Sequence, residues 1–372
     1  MNEKNKHNEQ ERCLQIVPSW IDDESFYSWC CRWHRQTLNR TRTTGVALFG
    51  VPSAAKVFHA PSPFGWFDRV TMGLLGTPSS ILKKRTIAGS YLSLAQQVDR
   101  QRVELGQLPP AHLFSAKSGV TTPLRYCEKC AAAQVSEHGV AIWRINHQLP
   151  GVSVCIEHGR PLVEYSEGRQ IWALPHLITA REIRMSSSRE LEIVVAVAIA
   201  ARKIFQNAAL DANVLRGSAR KVLCEVYGAI DAKRLDPELI ERHWRCSTLY
   251  RWCTRSFNGA KAFPRLWLTD VIRGRRSERN PLRWAFAIAY FVEQSWASID
   301  GFFADTSVPQ SAQLSLWADI GYIPHEIIRT FVIATNHTQA AAMLGVTAPT
   351  VRRWIRTHPE LSSITMHWKF KR

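Results

Sequence analysis

Two pairs of residues restrict this chain more than any other feature: Cys127-Glu128-Lys129-Cys130 and, after 24 intervening residues, Cys155-Ile156-Glu157-His158. Each pair leaves two residues between its ligands, a separation at which one tight turn aims both at a single point. Three thiolates and a neutral imidazole are a ligand set that zinc accepts readily. Gly159 follows the second pair, where such a turn favours glycine. Four protein ligands close a tetrahedron and leave no position for water, so the spacing predicts one structural zinc held by Cys127, Cys130, Cys155 and His158. The intervening residues read as a strand or two that leave and return.

Other uses of these residues fit less well. A nucleobase deaminase also sets Cys-x-x-Cys on zinc but needs an upstream His-x-Glu. The triplet upstream of Cys127 is His7-Asn8-Glu9, in a polar tail that cannot hold a catalytic base. A thioredoxin-like redox pair would need a βαβ context that is missing. The nine cysteines are an odd number, with no apolar leader in MNEKNKHNEQER, so a disulfide framework is not expected. His138 and His147 read as a surface and a packing histidine. His243, Cys246 and Cys253 lack a fourth ligand and read as helix or core residues.

The chain has 372 residues, with 48 Lys plus Arg against 31 Asp plus Glu, a formal net charge of +17. An excess of that size concentrates polyanions and favours nucleic acid as a partner. The longest apolar run, residues 193–201, is too short to cross a bilayer, so the expected location is the cytoplasm. The fold class expected is mainly α. Residues 1–12 read as a disordered tail and 13–111 as an N-terminal helical, helix-turn-helix-like domain. In that domain Asp22, Asp23 and Glu24 suit the positive end of a helix, and Leu92, Leu94, Ala95 and Val98 form an apolar stripe. Residues 112–178 form a small zinc-ribbon-like β module. Residues 186–325 form a helical domain whose first helix, 189–207, is capped by the serines at 186–188. Residues 326–372 complete the chain.

That last segment contains HTQAAAMLGVTAPTVRRWIR. Ala341 is small where two helices would cross, and Gly345 suits the turn. Leu344, Val346, Val351 and Trp354 share one face. Thr347 can cap a second helix whose first turn tolerates Pro349. The outward face then carries Thr347, Ala348, Pro349, Arg352, Arg353 and Arg356, and Lys369, Lys371 and Arg372 follow. A cationic second helix of this kind enters the major groove of DNA. Arg273, Arg275, Arg276, Arg279 and Arg283, with Trp267 and Trp284 nearby, form either a phosphate-gripping patch or a solvated loop.

The stretch Arg125, Tyr126, Cys127, Cys130, Trp143, Arg144, Leu149, Pro150, Gly151, Cys155, His158, Gly159 and Leu162 resembles the signature of the TniQ/TnsD family. A second block, Pro18, then residues 23–29, then Arg32, matches in the right order, so the resemblance covers about residues 14–165. It departs where Ile142 stands in place of an aromatic before Trp143, and where Val152 follows Gly151. Some family members carry a second cysteine cluster. Residues 159–190 contain no cysteine, which keeps the expectation at one zinc.

The resemblance implies a target-site selection protein of Tn-seven-like and related transposons, a binding protein rather than an enzyme, in the bacterial cytoplasm at the nucleoid. Its partners would be DNA, a TnsC-like AAA+ ATPase with its transposase, and a second copy of the chain. By the same resemblance, residues 23–32 are a candidate docking surface for the ATPase or the second copy. The family divides between direct readers of an attachment site and adaptors seated on a CRISPR Cascade complex with its guide RNA. The helix-turn-helix and the charge favour direct reading. A zinc-containing transcriptional regulator fits composition equally, and only the resemblance separates them. A zinc hydrolase fails, because the metal lacks an open position and no compact carboxylate cluster could hold Mg²⁺. No Walker A sequence is present, so the ATPase is a separate protein.

Overall fold

The computed structural model describes residues 14, 16–52, 64–105, 123–165, 172–178, 181–207, 210–229, 234–256, 263–273, 279–304, 325–334, 336–344, 347–357, 361 and 365. The chain is predominantly helical, and its short strands lie in the stretch that carries the cysteine pairs. It divides into two compact units between Phe303 and Ala304. Residues 1–12, Gly345, Val346, Arg275, Arg276 and the basic tail lie outside the described residues, and so do the expectations attached to them.

Among the described residues, the first unit begins with six helices: α1 (Phe26–Thr37), α2 (Thr41–Phe49), α3 (Phe64–Val70), α4 (Pro78–Arg85), α5 (Ala88–Ser93) and α6 (Gln97–Glu104). Ser25 starts α1 by accepting the Ser28 amide at 3.2 Å, and Thr77 does the same for α4 ahead of Pro78. An aromatic core forms where Phe26, Trp29, Phe49 and Phe67 meet edge to face or stacked. In the expected stripe Leu92, Leu94 and Ala95 are buried, but Val98 is exposed. The acidic residues before α1 do not serve its dipole, since its first turn holds no acid. Asp23 and Glu24 bind arginines instead.

The cysteine-bearing stretch follows. A three-stranded antiparallel sheet runs in the order β1 (Leu124–Tyr126), β4 (Val163–Tyr165), β5 (Arg181–Glu182), with Arg125 opposite Glu164. β2 (Val154–Cys155) pairs with β3 (Arg160–Pro161) in a hairpin. Between the cysteine pairs the expected strands are absent. The chain forms α7 (Glu128–His138) and a short α8 (Ile145–Gln148) instead. Three successive alanines at 131–133 favour helix, Glu128 sits in the first turn, and Gly139 at φ 71° ends it in the left-handed region.

The described helices that follow are α9 (Ser188–Gln206), α10 (Ala212–Val226), α11 (Pro237–Cys246), α12 (Thr248–Ser256), α13 (Trp267–Arg273), α14 (Pro281–Glu293) and α15 (Ile299–Ala304). Ser187 caps α9 by accepting the Glu190 amide, as the serine run implies. α14 is buried nearly throughout and packs along α9. Two cores result. One joins the N-terminal helices to Trp143, Trp172 and Leu174, and the other joins Cys127, Cys130 and Cys155 to α9 and α14.

The second unit contains α16 (His325–Ile333), α17 (His337–Met343) and α18 (Ala348–Thr357). Asn336 caps α17, accepting from the Gln339 amide at 2.9 Å. Phe331, Ala341, Val351, Trp354 and Leu361 form its core, with Leu344 packed against them.

Candidate metal centre and nucleic-acid face

Cys127 closes β1 and precedes α7, and Cys130 lies in the first turn of that helix. Cys155 ends β2, and the hairpin turn carries His158 back toward it. Gly159 makes that turn at φ 58°, giving its amide to the Cys155 carbonyl at 2.8 Å. The four ligand atoms converge, all within 4.8 Å of one another. His158 Nδ1 lies 3.5, 3.3 and 3.4 Å from the sulfurs of Cys127, Cys130 and Cys155, and Cys130 Sγ is 3.6 Å from Cys155 Sγ. Metal–ligand bonds of about 2.0–2.3 Å in a tetrahedron imply ligand–ligand edges of roughly 3.3–3.8 Å. The cluster therefore has the dimensions to hold one metal ion. The three cysteines are buried and His158 is exposed. In the thiol form, bonds from the Cys130 and Cys155 thiols hold Cys127 well below the ordinary thiol range, and the same contacts push Cys130 and Cys155 up.

A charged framework surrounds the cluster. Arg144 gives Nε to Asp23 at 2.7 Å and Nη1 to Cys130 Sγ at 3.2 Å. Both its terminal nitrogens reach Glu157, Nη2 at 2.5 Å. Burial holds Asp23 above the usual carboxylate range, opposed by Arg144. Arg144 holds Glu157 below that range. Arg125 is fully buried, gives Nη1 to the Val152 carbonyl, and has no ion pair among the described residues. Burial pulls it down to about 10.

The spacing of the cysteine pairs pointed to the ligands and to nothing in this framework. Glu157 sits inside Cys-x-x-His and could have been read from that position. The pairing of Arg144 with Asp23 crosses 121 residues, and no local pattern signals it. His138 is exposed and His147 is buried, as a surface and a packing histidine should be. Cys253 is buried in α12, and His243 meets the Tyr227 hydroxyl at 2.7 Å, as helix and core residues.

Residues 23–32 do not form the expected docking surface. Residues 24–32 are all buried, because α1 is the centre of the aromatic core. Glu24 holds Arg32 with two contacts of 2.8 Å, and Arg32 also reaches the Ser19 carbonyl. A half-open cavity of about 340 Å³ borders this stretch, lined by Arg32, Arg35, His138, Val140, Leu174 and His176 among others. Arg35 and His138 stand in the last turns of α1 and α7, where they complement negative helix ends.

On α18, Thr347, Pro349, Arg352 and Arg356 are exposed, while Val351 and Trp354 are buried. Ala348, expected to face outward, is half-buried and packs against the core. The Thr347 carbonyl accepts from Val351 at 3.1 Å, and its hydroxyl lies 2.9 Å from that of Thr350. Arg353 belongs to α18, but its side chain is outside the described residues. Partial burial, then Arg352, holds His337 below the ordinary imidazole value. Elsewhere, Arg273 is half-buried and gives its guanidinium to the Leu235 carbonyl, so it ties α13 to the chain before α11.

Fold and site together define a predominantly helical protein with a small Cys₃His module built into its N-terminal unit. Residues 15–162 of the chain match the family model described as TniQ. TniQ domains are found in transposon target-site selection proteins. No curated protein matches the chain in sequence. No described helix is long and apolar enough to cross a membrane.

Proposed function

We propose that this protein selects the target site for a transposon, binding DNA directly and recruiting a TnsC-like AAA+ ATPase and its transposase. The match to the TniQ model over residues 15–162 carries this reading. The role is binding rather than catalysis. In it, zinc held by Cys127, Cys130, Cys155 and His158 supplies folding free energy to the first unit. DNA reading belongs to α18, whose exposed Thr347, Pro349, Arg352 and Arg356 suit a recognition helix, with Arg353 beside them. Excess positive charge, +17 overall, supports the phosphate-dependent part of binding.

An unbiased DNA-binding selection on the purified chain at moderate salt tests the proposal. Enrichment of one defined site is expected. Weak binding that ignores sequence and disappears with added salt would overturn direct reading. Specificity would then belong to a guide-RNA complex on which this protein sits.

A further inference from the structure

Among the described residues, Arg144 touches both ligand turns and the N-terminal segment. Its Nη1 lies 3.2 Å from Cys130 Sγ, in the first ligand pair. Its terminal nitrogens hold Glu157, between the two ligands of the second pair. Its Nε holds Asp23 at 2.7 Å. Backbone bonds reinforce that last contact. The Ile145 amide gives to the Asp23 carbonyl at 2.7 Å, and the Ser25 amide to the Trp143 carbonyl at 2.9 Å. Glu24 and Arg144 form an isolated antiparallel bridge, and the Trp143 amide reaches the Ser28 hydroxyl at 3.0 Å. Ser25 is the cap of α1, and Glu24 fixes Arg32 within it. The contacts therefore run without a gap from a ligand sulfur to the first helix.

The chemistry gives this arrangement a direction. Three thiolates and an imidazole around a divalent metal carry one net negative charge. A guanidinium N–H on a ligating sulfur spreads that charge and orients the ligand, the role partners outside the coordination sphere play in other metal sites. Without metal the two ligand turns lose the ion that pins them together, so the geometry that brings Cys130 and Glu157 onto Arg144 loosens with it. Arg serves these three separate partners better than Lys, because its planar fork presents donors in fixed directions.

We propose that Arg144 is a positioning residue of the metal centre, and that it couples metal occupancy to the order of residues 19–33. The proposal rests on the reading of the Cys₃His cluster as a metal site. It goes beyond the folding free energy that zinc supplies to the first unit, because it names the side chain through which occupancy reaches residues 19–33.

The test uses the full-length protein loaded with Zn²⁺ or Co²⁺. Chelator competition on Arg144→Gln is expected to give zinc affinity about 10–100-fold weaker than the unsubstituted chain. The thiolate-to-cobalt charge-transfer bands should shift, which loss of general stability would not cause. Chelating the unsubstituted protein should raise deuterium uptake across residues 19–33. Arg144→Lys should recover part of the affinity, and Asp23→Asn should raise uptake there while leaving the cobalt bands in place.

Arg144→Gln with affinity within about twofold and unchanged cobalt bands would overturn the proposal while the metal site stands. Should Arg144→Gln fail to fold, the chelation experiment decides, and unchanged uptake at residues 19–33 overturns the coupling. An unsubstituted chain that is folded and takes up neither metal overturns the metal reading and this inference with it.

Discussion

His147 shows how one buried side chain ties stability to pH. Its ring is almost fully buried, and Nδ1 has no hydrogen-bond partner among the described residues. Burial, then Arg144, pulls its pKa down to about 3. The unfolded chain binds a proton near pH 6.5, and the folded chain does not until near pH 3. Its contribution is therefore fully present above pH 6.5 and is lost as pH falls toward 3, at about 1.4 kcal/mol per unit. Denaturant titrations between pH 7 and pH 4 should fall less steeply for His147→Leu than for the unsubstituted protein. Equal slopes would place the acid sensitivity elsewhere. Cys127→Ser removes the ligand between β1 and α7, and metal uptake with the cooperative unfolding of the first unit should be lost together. The ligands were legible because each pair is a local device, two residues apart on one turn. Arg144 was legible only as a signature residue. Its partners Asp23, Cys130 and Glu157 come from three segments, and that convergence exists only once the chain has folded.

Helices in this protein follow their local signals where those signals stand alone. Ser187 caps α9 within two residues of the expected start, and Ser187→Ala should cost about 1 kcal/mol in denaturant unfolding. Between the cysteine pairs the expectation of strands failed. Alanine-rich propensity beside Cys130 outweighed the preference for a short β excursion. The apolar stripe at Val98 failed for a related reason, since α6 begins at Gln97 and turns that residue outward. Gly151 joins two levels. At φ 85° it is in the left-handed region, and a Cβ there would meet Leu282, Phe286 and Val197 at 3.0–3.2 Å, where the metal module meets α9 and α14. Gly151→Ala should destabilise the first unit by about 2 kcal/mol. On α18, Arg352→Ala with Arg353→Ala should reduce DNA affinity and lower its salt slope by up to about two units, read by binding titrations at several salt concentrations. An unchanged slope would make this a protein-binding helix.

At the scale of the whole molecule, the chain forms two compact units. The first contains the stretch that matches the TniQ model, and its two cores share the cysteine-bearing stretch. Among the described residues the second contains α16, α17 and α18, a small core, and the exposed arginines Arg352 and Arg356 on α18. Sequence patterning signalled the ligand spacing and the C-terminal helix pair, and it placed its last boundary between residues 325 and 326, not between Phe303 and Ala304. It missed the burial of residues 24–32, because their polar members Glu24, Ser28 and Arg32 are satisfied by one another and by distant partners. The claim on which the account turns is that the Cys₃His cluster holds zinc and that the first unit depends on it. Elemental analysis of the purified, folded chain, repeated after dialysis against a strong chelator with unfolding followed in parallel, tests it most directly. One zinc per chain, and loss of cooperative unfolding once it is removed, is the predicted result. A folded chain with no zinc, or one indifferent to its removal, would contradict it.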